Sequence, residues 1–261
     1  MLIFGTSREL FQDFFHYAKI QMKKDILGKA LLDYYQGNYT EDILTETNIT
    51  EEDVLPLPYL FRDYKEMPKI EQEALKHCKG KVLDVGCGAG GHTLFLQEKG
   101  LEVTAIDISE GAVEVSKSRG VTDVRHVDIL ELKEEKFDTI LMLMNGTGIF
   151  KTLASAPTYL NHLKSLLNPG GHILIDSSDI IYMFDTDDDE GVWIPTDKDY
   201  YGELTFKMTY KKETSDAFEW LYLDFNTLQL LSDECGLDCE MILEGEHFDY
   251  LAKLTLKNNR T

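Results

Sequence analysis

The sequence of 261 residues predicts an α/β fold, in which a doubly wound, mostly parallel sheet carries helices on both faces. Two observations predict it. Between residues 81 and 176, short apolar segments typical of buried strands alternate with segments of helical periodicity. Apolar residues make up 43% of the chain, which is enough to build a core and excludes wholesale disorder. Strands separated by helices in this rhythm pair in parallel.

The start of the chain departs from that rhythm. Apolar residues at spacings of three and four predict a helix over residues 8–36, ended by a Gln-Gly-Asn turn. Residues 39–58 are polar and acidic and end in Pro-Leu-Pro, which predicts a connecting segment. We therefore expect an N-terminal helical appendage and linker over residues 1–58 and a main domain over residues 59–261.

The main domain begins with a predicted helix over residues 68–77, whose proline suits the first turn. Five strands are predicted at 81–85, 103–106, 124–127, 137–144 and 172–176. The helices between them are predicted around 93–97, 109–120 and 155–167. Ser109 is a good N-cap for the second of these helices, and Gly120 is a good C-cap.

After residue 178 the pattern changes. Residues 178–200 contain eight acidic side chains and one basic side chain, and two strand-like stretches follow at 204–210 and 220–223. We expect an inserted loop and β-hairpin at about 178–223. A helix over 226–235 and two strands at 239–243 and 250–256 complete the predicted domain.

Composition restricts the function. The net charge of −21 argues against a nucleic-acid partner, because phosphate binding needs a basic surface. The longest apolar run, residues 140–144, is far too short to span a membrane. The start of the sequence lacks the pattern of a leader peptide, so we expect a cytoplasmic protein without a membrane partner. Neither a disulfide framework nor a paired Cys-x-x-Cys site is predicted from the four cysteines, Cys78, Cys87, Cys235 and Cys239.

No metal site is predicted. The acidic run at 185–189 resembles a calcium loop only superficially, because Glu190 and Thr196 stand where an EF-hand loop needs glycine and glutamate. His247 has no partner at a spacing typical of metal ligands. His92 opens a predicted helix, and we interpret it as a structural residue rather than a general base.

The segment Val-Leu-Asp-Val-Gly-Cys-Gly-Ala-Gly-Gly over residues 82–91 indicates a binding loop for a polar ligand. Glycines between a buried strand and a helix let the backbone approach a ligand, and the helix N-terminus offers unpaired N–H groups. One interpretation uses Gly86, Gly88 and Gly91 as the G-x-G-x-x-G of dinucleotide binders, which keeps a nicotinamide-dependent oxidoreductase open.

Asp84 favours a different ligand. At 4 Å its carboxylate would repel a pyrophosphate by roughly 1 to 4 kcal/mol, depending on the effective dielectric constant. The same charge attracts an ammonium group. S-adenosylmethionine carries an ammonium, a carboxylate and a sulfonium and has no phosphate, so it suits an acidic residue beside this loop.

Four segments, in order, resemble the motifs of class I S-adenosylmethionine-dependent methyltransferases over about residues 70–178. The first is D/E-x-G-x-G-x-G at Asp84, Gly86, Gly88 and Gly90. The others are Ile-Asp-Ile at 106–108, Asp-Ile at 128–129, and the fourth-strand segment 137–146 with the Asn-Pro-Gly-Gly turn at 168–171. The resemblance implies a Rossmann-like fold with a seven-stranded sheet whose last strand is antiparallel. It also implies S-adenosylmethionine as cofactor and S-adenosylhomocysteine as its product.

The resemblance also implies roles for individual residues. Asp107 would accept both ribose hydroxyls, Asp128 would take the adenine amino group, and Ile129 would pack on the ring. The end of the fourth strand, at Met144 and Asn145, would pass the methyl group. The expected cofactor-binding residues are Asp84, Gly86, Cys87, Gly88, Gly90, Asp107, Ile108, Asp128, Ile129, Met144 and Asn145.

The predicted reaction is an in-line methyl transfer, which needs alignment and exclusion of water rather than a covalent nucleophile. Residues 145–148 depart from the Asn/Asp-Pro-Pro-Tyr signature of base-methylating relatives, which favours a small-molecule acceptor. No catalytic residue is identified; the candidates are Asn145, Tyr64 and Arg62, and Tyr59 is a candidate for covering the pocket. Two alternatives stay open at this point: an NAD(P)-dependent oxidoreductase, which leaves Asp84 and Asp128 unexplained, and a non-catalytic S-adenosylmethionine-binding module.

Overall fold

The computed structural model describes residues 24–184 and 199–257. Its α-helices are α1 (Ile26–Tyr35), α2 (Leu57–Leu60), α3 (Lys69–His77), α4 (Gly91–Glu98), α5 (Glu110–Arg119), α6 (Ala156–Ser165) and α7 (Phe225–Glu234). Its strands are β1 (Ile43–Thr47), β2 (Asp53–Leu55), β3 (Lys81–Val85), β4 (Glu102–Asp107), β5 (Val124–His126), β6 (Phe137–Met142), β7 (Leu167–Ser178), β8 (Glu203–Tyr210), β9 (Glu213–Thr214), β10 (Phe218–Leu221), β11 (Leu237–Glu244) and β12 (Asp249–Leu256). Short 3₁₀ turns lie at Tyr64–Glu66, Ile129–Glu131, Gly146–Phe150 and Ile181–Met183.

The larger sheet has seven strands in the order β11-β12-β7-β6-β3-β4-β5. Strands β7, β6, β3, β4 and β5 pair in parallel, whereas β12 is antiparallel to both β7 and β11. The predicted α/β fold is therefore confirmed, including the seven strands and the antiparallel last strand. Because these five strands are parallel, their carboxyl ends lie along one edge of the sheet.

Both faces of this sheet are buried, as the apolar run in β6 predicts. Ile140 and Met142 pack into the cluster that contains Leu160 and Leu163 of α6. Leu141, between them, points to the opposite face and packs in a cluster with Ala74 and Leu75 of α3. Because successive side chains of a strand alternate between faces, a strand covered on both sides needs a continuous apolar run.

A second, smaller sheet has the order β10-β8-β1-β2, with β9 on β8, and all its pairs are antiparallel. The segment 39–58, predicted as a connection, thus contains two strands, and β1 pairs with β8 of the predicted insertion through Thr45 and Met208. That prediction of a plain connection is wrong, because the pairing partner lies about 160 residues away and leaves no local signal. The predicted hairpin strands are present in β8 and β10.

Helix α1 joins the N-terminal part to the large sheet. Asp25 caps α1 by accepting from the Gly28 amide at 2.9 Å. Its other oxygen accepts from Ser109 Oγ at 2.9 Å and from the Gly111 amide at 3.0 Å, at the start of α5. A side chain at Gly111 would lie 2.5 Å from the Gly28 Cα, so the two helices cross where neither has a side chain. The boundary at residue 58 stays a prediction.

Residues 8–23 of the predicted first helix lie outside the described residues, as does the acidic run at 185–189. In the parts of the chain that the structure covers, each helix is too short or too polar to cross a membrane.

The 3₁₀ turn after β6 packs against the small sheet without a gap, which makes Gly148 sensitive to substitution. An added Cβ there would lie 2.0 Å from Cε2 of Trp220. We expect Gly148→Ala to lower the free energy of unfolding by about 3 kcal/mol or more in urea titrations, because the added methyl group would overlap the Trp220 indole. In a Trp220→Leu background most of this cost should disappear.

Gly37→Ala is the matched control for that measurement. Gly37 has a positive φ of 78° and open space around its Cβ position, so alanine there meets no atom within 4 Å. Only the backbone penalty of about 1 kcal/mol should appear. Equal costs for the two variants would contradict the steric explanation for Gly148.

Candidate functional site

The glycine-rich loop connects β3 to α4 and contains three left-handed residues. Gly86, Gly88 and Gly90 have φ angles of 79°, 53° and 81°, which glycine adopts without steric cost. A Cβ at Gly90 would lie 2.9 Å from Ser116 Oγ, so this glycine permits packing on α5. A Cβ at Gly88 would meet nothing within 4 Å. The loop therefore packs on the protein at Gly90 and leaves free space at Gly88, where a ligand can approach the backbone.

Asp107 at the end of β4 holds this loop in place. One carboxylate oxygen accepts from the Gly88 amide at 2.9 Å and the other from the Ser109 amide at 2.8 Å. Burial raises the pKa of Asp107, and the two amide hydrogen bonds act in the opposite direction. A carboxylate has about four lone-pair positions, so two acceptor positions remain for ligand hydroxyls.

Apolar residues beside Asp107 differ strongly in exposure. Ile108 is 71% exposed, whereas Ile129 is 3% exposed and lies in the core cluster with Val85. Asp128, half-buried before the turn that Ile129 begins, accepts from the Leu130 amide at 2.9 Å. An exposed apolar side chain next to a buried carboxylate suits a ligand that has a flat ring and a polyol portion. The contact between Ile129 and the adenine ring stays a prediction.

Cys87 contributes its backbone rather than its thiol. Its Sγ lies 3.9 Å from Ser116 Oγ in an apolar cluster with Val113 and Val121. Burial raises the pKa of the Cys87 thiol, so it is protonated and unreactive at neutral pH. The Cys87 amide donates to the Ile106 carbonyl at 3.1 Å, which fixes the start of the loop.

Asp84 is buried at the end of β3 and faces the first turn of α4. It accepts from Thr93 Oγ1 at 2.6 Å. Burial raises its pKa, while the positive charge of His92 and the hydrogen bonds from Thr93 act to lower it. Asp84 therefore holds the first turn of the helix that follows the glycine loop, and its contact with the ligand stays a prediction.

The catalytic candidates Arg62 and Tyr64 both contact other side chains of the protein. Arg62 forms a buried ion pair with Glu71, and its guanidinium lies 3.8 Å from the ring centroid of Tyr59. Glu71 also contacts His92, with 2.8 Å between Oε2 and Nε2. Tyr64 stacks on Phe95 of α4, with ring centroids 4.0 Å apart. The catalytic roles of Arg62 and Tyr64 stay hypotheses.

Opposite charges meet in the Arg62–Glu71–His92 network. Burial acts to raise the pKa of Glu71, but the hydrogen bond from His92 and the positive charges of His92 and Arg62 lower it overall. Burial acts to lower the pKa of His92, and the carboxylates of Glu71 and Asp84 more than offset this, so the His92 pKa is raised. We infer a charged imidazolium at the first turn of α4, next to the loop.

The third candidate, Asn145, lies in a strained turn after β6. Met144 and Asn145 have φ angles of 65° and 62°, a conformation that costs side-chain-bearing residues on the order of 1–3 kcal/mol each. Asp176 at the end of β7 accepts from the Met144 amide at 3.1 Å and the Gly146 amide at 2.8 Å. The Asn145 side chain donates to the Leu221 carbonyl at 3.2 Å and accepts from Ser177 Oγ at 3.0 Å.

Asp176 is a site residue that sequence reasoning missed. Like Asp84 and Asp107, it lies within two residues of the carboxyl end of a buried strand, and that repeated position is the signal in the sequence. Burial raises the pKa of Asp176 to about 6, against the three backbone hydrogen bonds that lower it. The carboxyl edge of the sheet thus brings together the glycine loop, three carboxylates and the Met144–Asn145 turn.

Known methyltransferases are similar to this chain. Residues 82–171 match the family model described as "Methyltransferase domain". A solved structure of an S-adenosylmethionine-dependent methyltransferase from Bacteroides fragilis, in complex with S-adenosylhomocysteine, is 46% identical. It covers 90% of this chain and 96% of its own, with a TM-score of 0.84.

The chain belongs to the S-adenosylmethionine-dependent methyltransferases.

Two curated relatives agree over shorter stretches. YqeM of Bacillus subtilis, named as a methyltransferase, is 30% identical over 105 residues, 38% of this chain and 42% of the relative. The ubiquinone biosynthesis O-methyltransferase of Coxiella burnetii is 26% identical over 155 residues, 51% of this chain and 64% of the relative. The matches span less than two thirds of each relative's length.

The predicted methyltransferase activity and the predicted cofactor, S-adenosylmethionine, are confirmed, and the oxidoreductase alternative is wrong. The cradle fits this cofactor, because the open backbone at Gly88 and the two free acceptor positions of Asp107 offer amides and a carboxylate without a phosphate-binding lysine.

The buried network predicts a large stability effect at Arg62. Arg62→Met leaves Glu71 buried with His92 as its remaining charged partner, so the free energy of unfolding should fall by on the order of 3 kcal/mol. Urea unfolding followed by circular dichroism measures it. The double variant Arg62→Met/Glu71→Leu should recover part of the loss. Lys76→Met, which breaks an exposed pair with Glu73, should show no measurable change.

The raised pKa of Asp176 predicts that the binding of S-adenosylhomocysteine depends on pH. Its ionised form accepts the amides of the Met144–Gly146 turn, and it gains a proton as the pH falls through about 6. We expect the affinity for S-adenosylhomocysteine, measured by calorimetry from pH 8 to pH 5, to fall about 3- to 10-fold across this window. In Asp176→Asn this step should vanish; a step of the same size in the variant would contradict the assignment.

Proposed function

We propose that this methyltransferase transfers a methyl group to a small-molecule acceptor that is bound between the carboxyl edge of the seven-stranded sheet and the small antiparallel sheet. One observation carries the proposal: the Met144–Asn145 turn is hydrogen-bonded to strands of both sheets. Asp176 of β7 accepts its amides, and Asn145 donates to the Leu221 carbonyl at the end of β10. The turn therefore lies where the two sheets meet.

We assign cofactor binding to the residues that line this edge. When bound, S-adenosylmethionine supplies a methyl group on a sulfonium centre. The backbone of the glycine loop would cradle the amino-acid portion above Asp84, Asp107 would accept the ribose hydroxyls, and Ile108 would cover the adenine. The full set is Asp84, Gly86, Cys87, Gly88, Gly90, Asp107, Ile108, Asp128, Ile129, Met144 and Asn145.

The chain's own contribution to the reaction is alignment. Its strained turn presents the Met144 side chain, 37% exposed, and the Asn145 amide at the point where β6 ends. Asn145 is held from two sides, by Leu221 and Ser177, so its position does not depend on the ligand. Such preorganisation favours an in-line approach of the acceptor and exclusion of water.

Three observations support a small acceptor. The net charge of −21 disfavours a polyanion such as nucleic acid. Residues 145–148 lack the Asn/Asp-Pro-Pro-Tyr pattern of base-methylating enzymes. One curated relative is named for ubiquinone biosynthesis, a small-molecule pathway. We also propose that the protein is cytoplasmic.

The proposed division of the chain assigns the acceptor side to two segments. Residues 1–58 supply β1 and β2, and the insertion at about 178–223 supplies β8, β9 and β10. These strands form one sheet. We propose that the two segments bind the acceptor together, and that residues 59–261 form the methyltransferase domain.

Asp107 tests the cofactor assignment. Asp107→Ala removes the acceptor for the ribose hydroxyls and the anchor of the Gly88 amide, so the Kd for S-adenosylhomocysteine should rise about 10- to 100-fold in calorimetric titration. Asp123→Ala is the matched control, because Asp123 precedes β5 at the opposite edge and pairs with Arg125. An unchanged Kd in Asp107→Ala would contradict the assignment, and NADH should bind neither protein.

A further inference from the structure

One face of the small sheet carries a ladder of aromatic rings. Phe218 and Trp220 alternate along β10, and Tyr222 follows in the same phase. Phe206 of β8 is paired directly with Phe218, so it lies on the same face. Ring centroids of Phe206 lie 6.0 Å from Phe218, 6.5 Å from Trp220 and 6.5 Å from Tyr222. All four side chains are half-buried.

This aromatic ladder, defined as Phe206, Phe218, Trp220 and Tyr222, is continuous with the site. The Trp220 indole packs directly on Gly148, in the turn that follows Asn145. At the same end, the Leu223 amide, directly after Tyr222, donates to Ser177 Oγ at 2.9 Å, and Ser177 follows Asp176, which accepts from the Gly146 amide at 2.8 Å. One end of the ladder therefore borders the carboxylate that holds the methyl-transfer turn.

The uncompensated charge at that end is negative. Asp176 has no ion-pair partner among the described residues, whereas the charge of Glu71 is compensated by Arg62 and His92. Arg62, beneath Tyr59, is already ion-paired with Glu71 and gives its second contact to the Tyr59 carbonyl. A ligand group between Asp176 and the tyrosines thus meets a carboxylate and electron-rich ring faces, which attract a cation and repel an anion.

We propose that the acceptor is a small amine carried on an apolar ring, with the ring against the aromatic ladder and the nitrogen beside Asp176. The inference rests on the proposed function and names its substrate class. Aromatic faces stack on a flat ring, and a carboxylate hydrogen-bonds an ammonium or amine N–H. A carboxylate- or phosphate-bearing acceptor would place like charge against Asp176.

The chemistry of such an acceptor balances. The amine reacts in its neutral form: its lone pair forms a nitrogen–carbon bond to the methyl group while the carbon–sulfur bond breaks and its electron pair stays on sulfur. The methylated nitrogen then carries an extra proton, which passes to solvent, directly or by way of Asp176. No oxidant, reductant or metal is required.

Three probes with the same ring separate the possibilities: 2-phenylethylamine, 2-phenylethanol and 3-phenylpropionate. Each is titrated into the full-length protein saturated with S-adenosylhomocysteine, and binding is followed by calorimetry and by tryptophan fluorescence, to which Trp220 contributes. We expect 2-phenylethylamine to bind at least about 10-fold more tightly than either neutral or anionic analogue. In Asp176→Asn this preference for the amine should fall below about 3-fold.

Two further variants test the ring contact. Phe206→Leu should weaken all three probes by a similar factor, because it removes ring stacking without changing charge. Glu219→Gln is the matched control: Glu219 lies between Phe218 and Trp220, points away from the aromatic ladder and is itself exposed, so its loss should change nothing. Measured affinity for S-adenosylhomocysteine in each variant shows whether the cofactor site remains intact.

The outcomes are distinguishable. If S-adenosylhomocysteine binds but the alcohol or the carboxylate binds as well as the amine, or none of the three binds at up to about 10 mM, the amine proposal is overturned and the proposed function stands. If Asp107→Ala leaves S-adenosylhomocysteine binding unchanged, the cofactor-site assignment fails instead. Preferential amine binding that requires Asp176 supports both.

Discussion

Carboxylates buried at the ends of parallel strands organise this methyltransferase. Asp84, Asp107 and Asp176 lie within two residues of the carboxyl ends of β3, β4 and β7, and a buried carboxylate is stable only where donors surround it. The donors are Thr93 of α4 for Asp84, the Gly88 and Ser109 amides for Asp107, and the Met144 and Gly146 amides for Asp176. Asp107 and Asp176 thereby each hold the loop that follows a neighbouring strand, and Asp84 holds the first turn of α4.

The same constraint joins the two sheets. Because Asp176 holds the Met144–Asn145 turn in a left-handed conformation, the Asn145 side chain reaches the Leu221 carbonyl at the end of β10. Thr147 strengthens the junction by donating to the same carbonyl at 3.0 Å and contacting Ser177 Oγ at 2.6 Å. A substitution on the small sheet is therefore expected to reach the methyl-transfer turn through these hydrogen bonds rather than through long-range motion.

Charge balance separates the two halves of the site. On the cofactor side, the negative charge of Glu71 is compensated by Arg62 and His92 next to the glycine loop. On the acceptor side, Asp176 has backbone amides but no ion-pair partner among the described residues, and burial leaves its pKa at about 6. The acceptor side consequently keeps a net negative character beside the aromatic ladder, which is the physical basis for selecting an amine.

Local sequence determined the seven-stranded α/β core, its caps and the cofactor loop. Ser109 and Gly120 cap α5 through contacts within a few residues, and Gly86, Gly88 and Gly90 encode their own left-handed turns. The small sheet was decided only by tertiary structure, because β1 and β8 are about 160 residues apart and neither strand shows its partner. Asp176 likewise acquired its role only when β7 came to lie beside β6, since a strand-end aspartate becomes an anchor through the amides that folding brings to it.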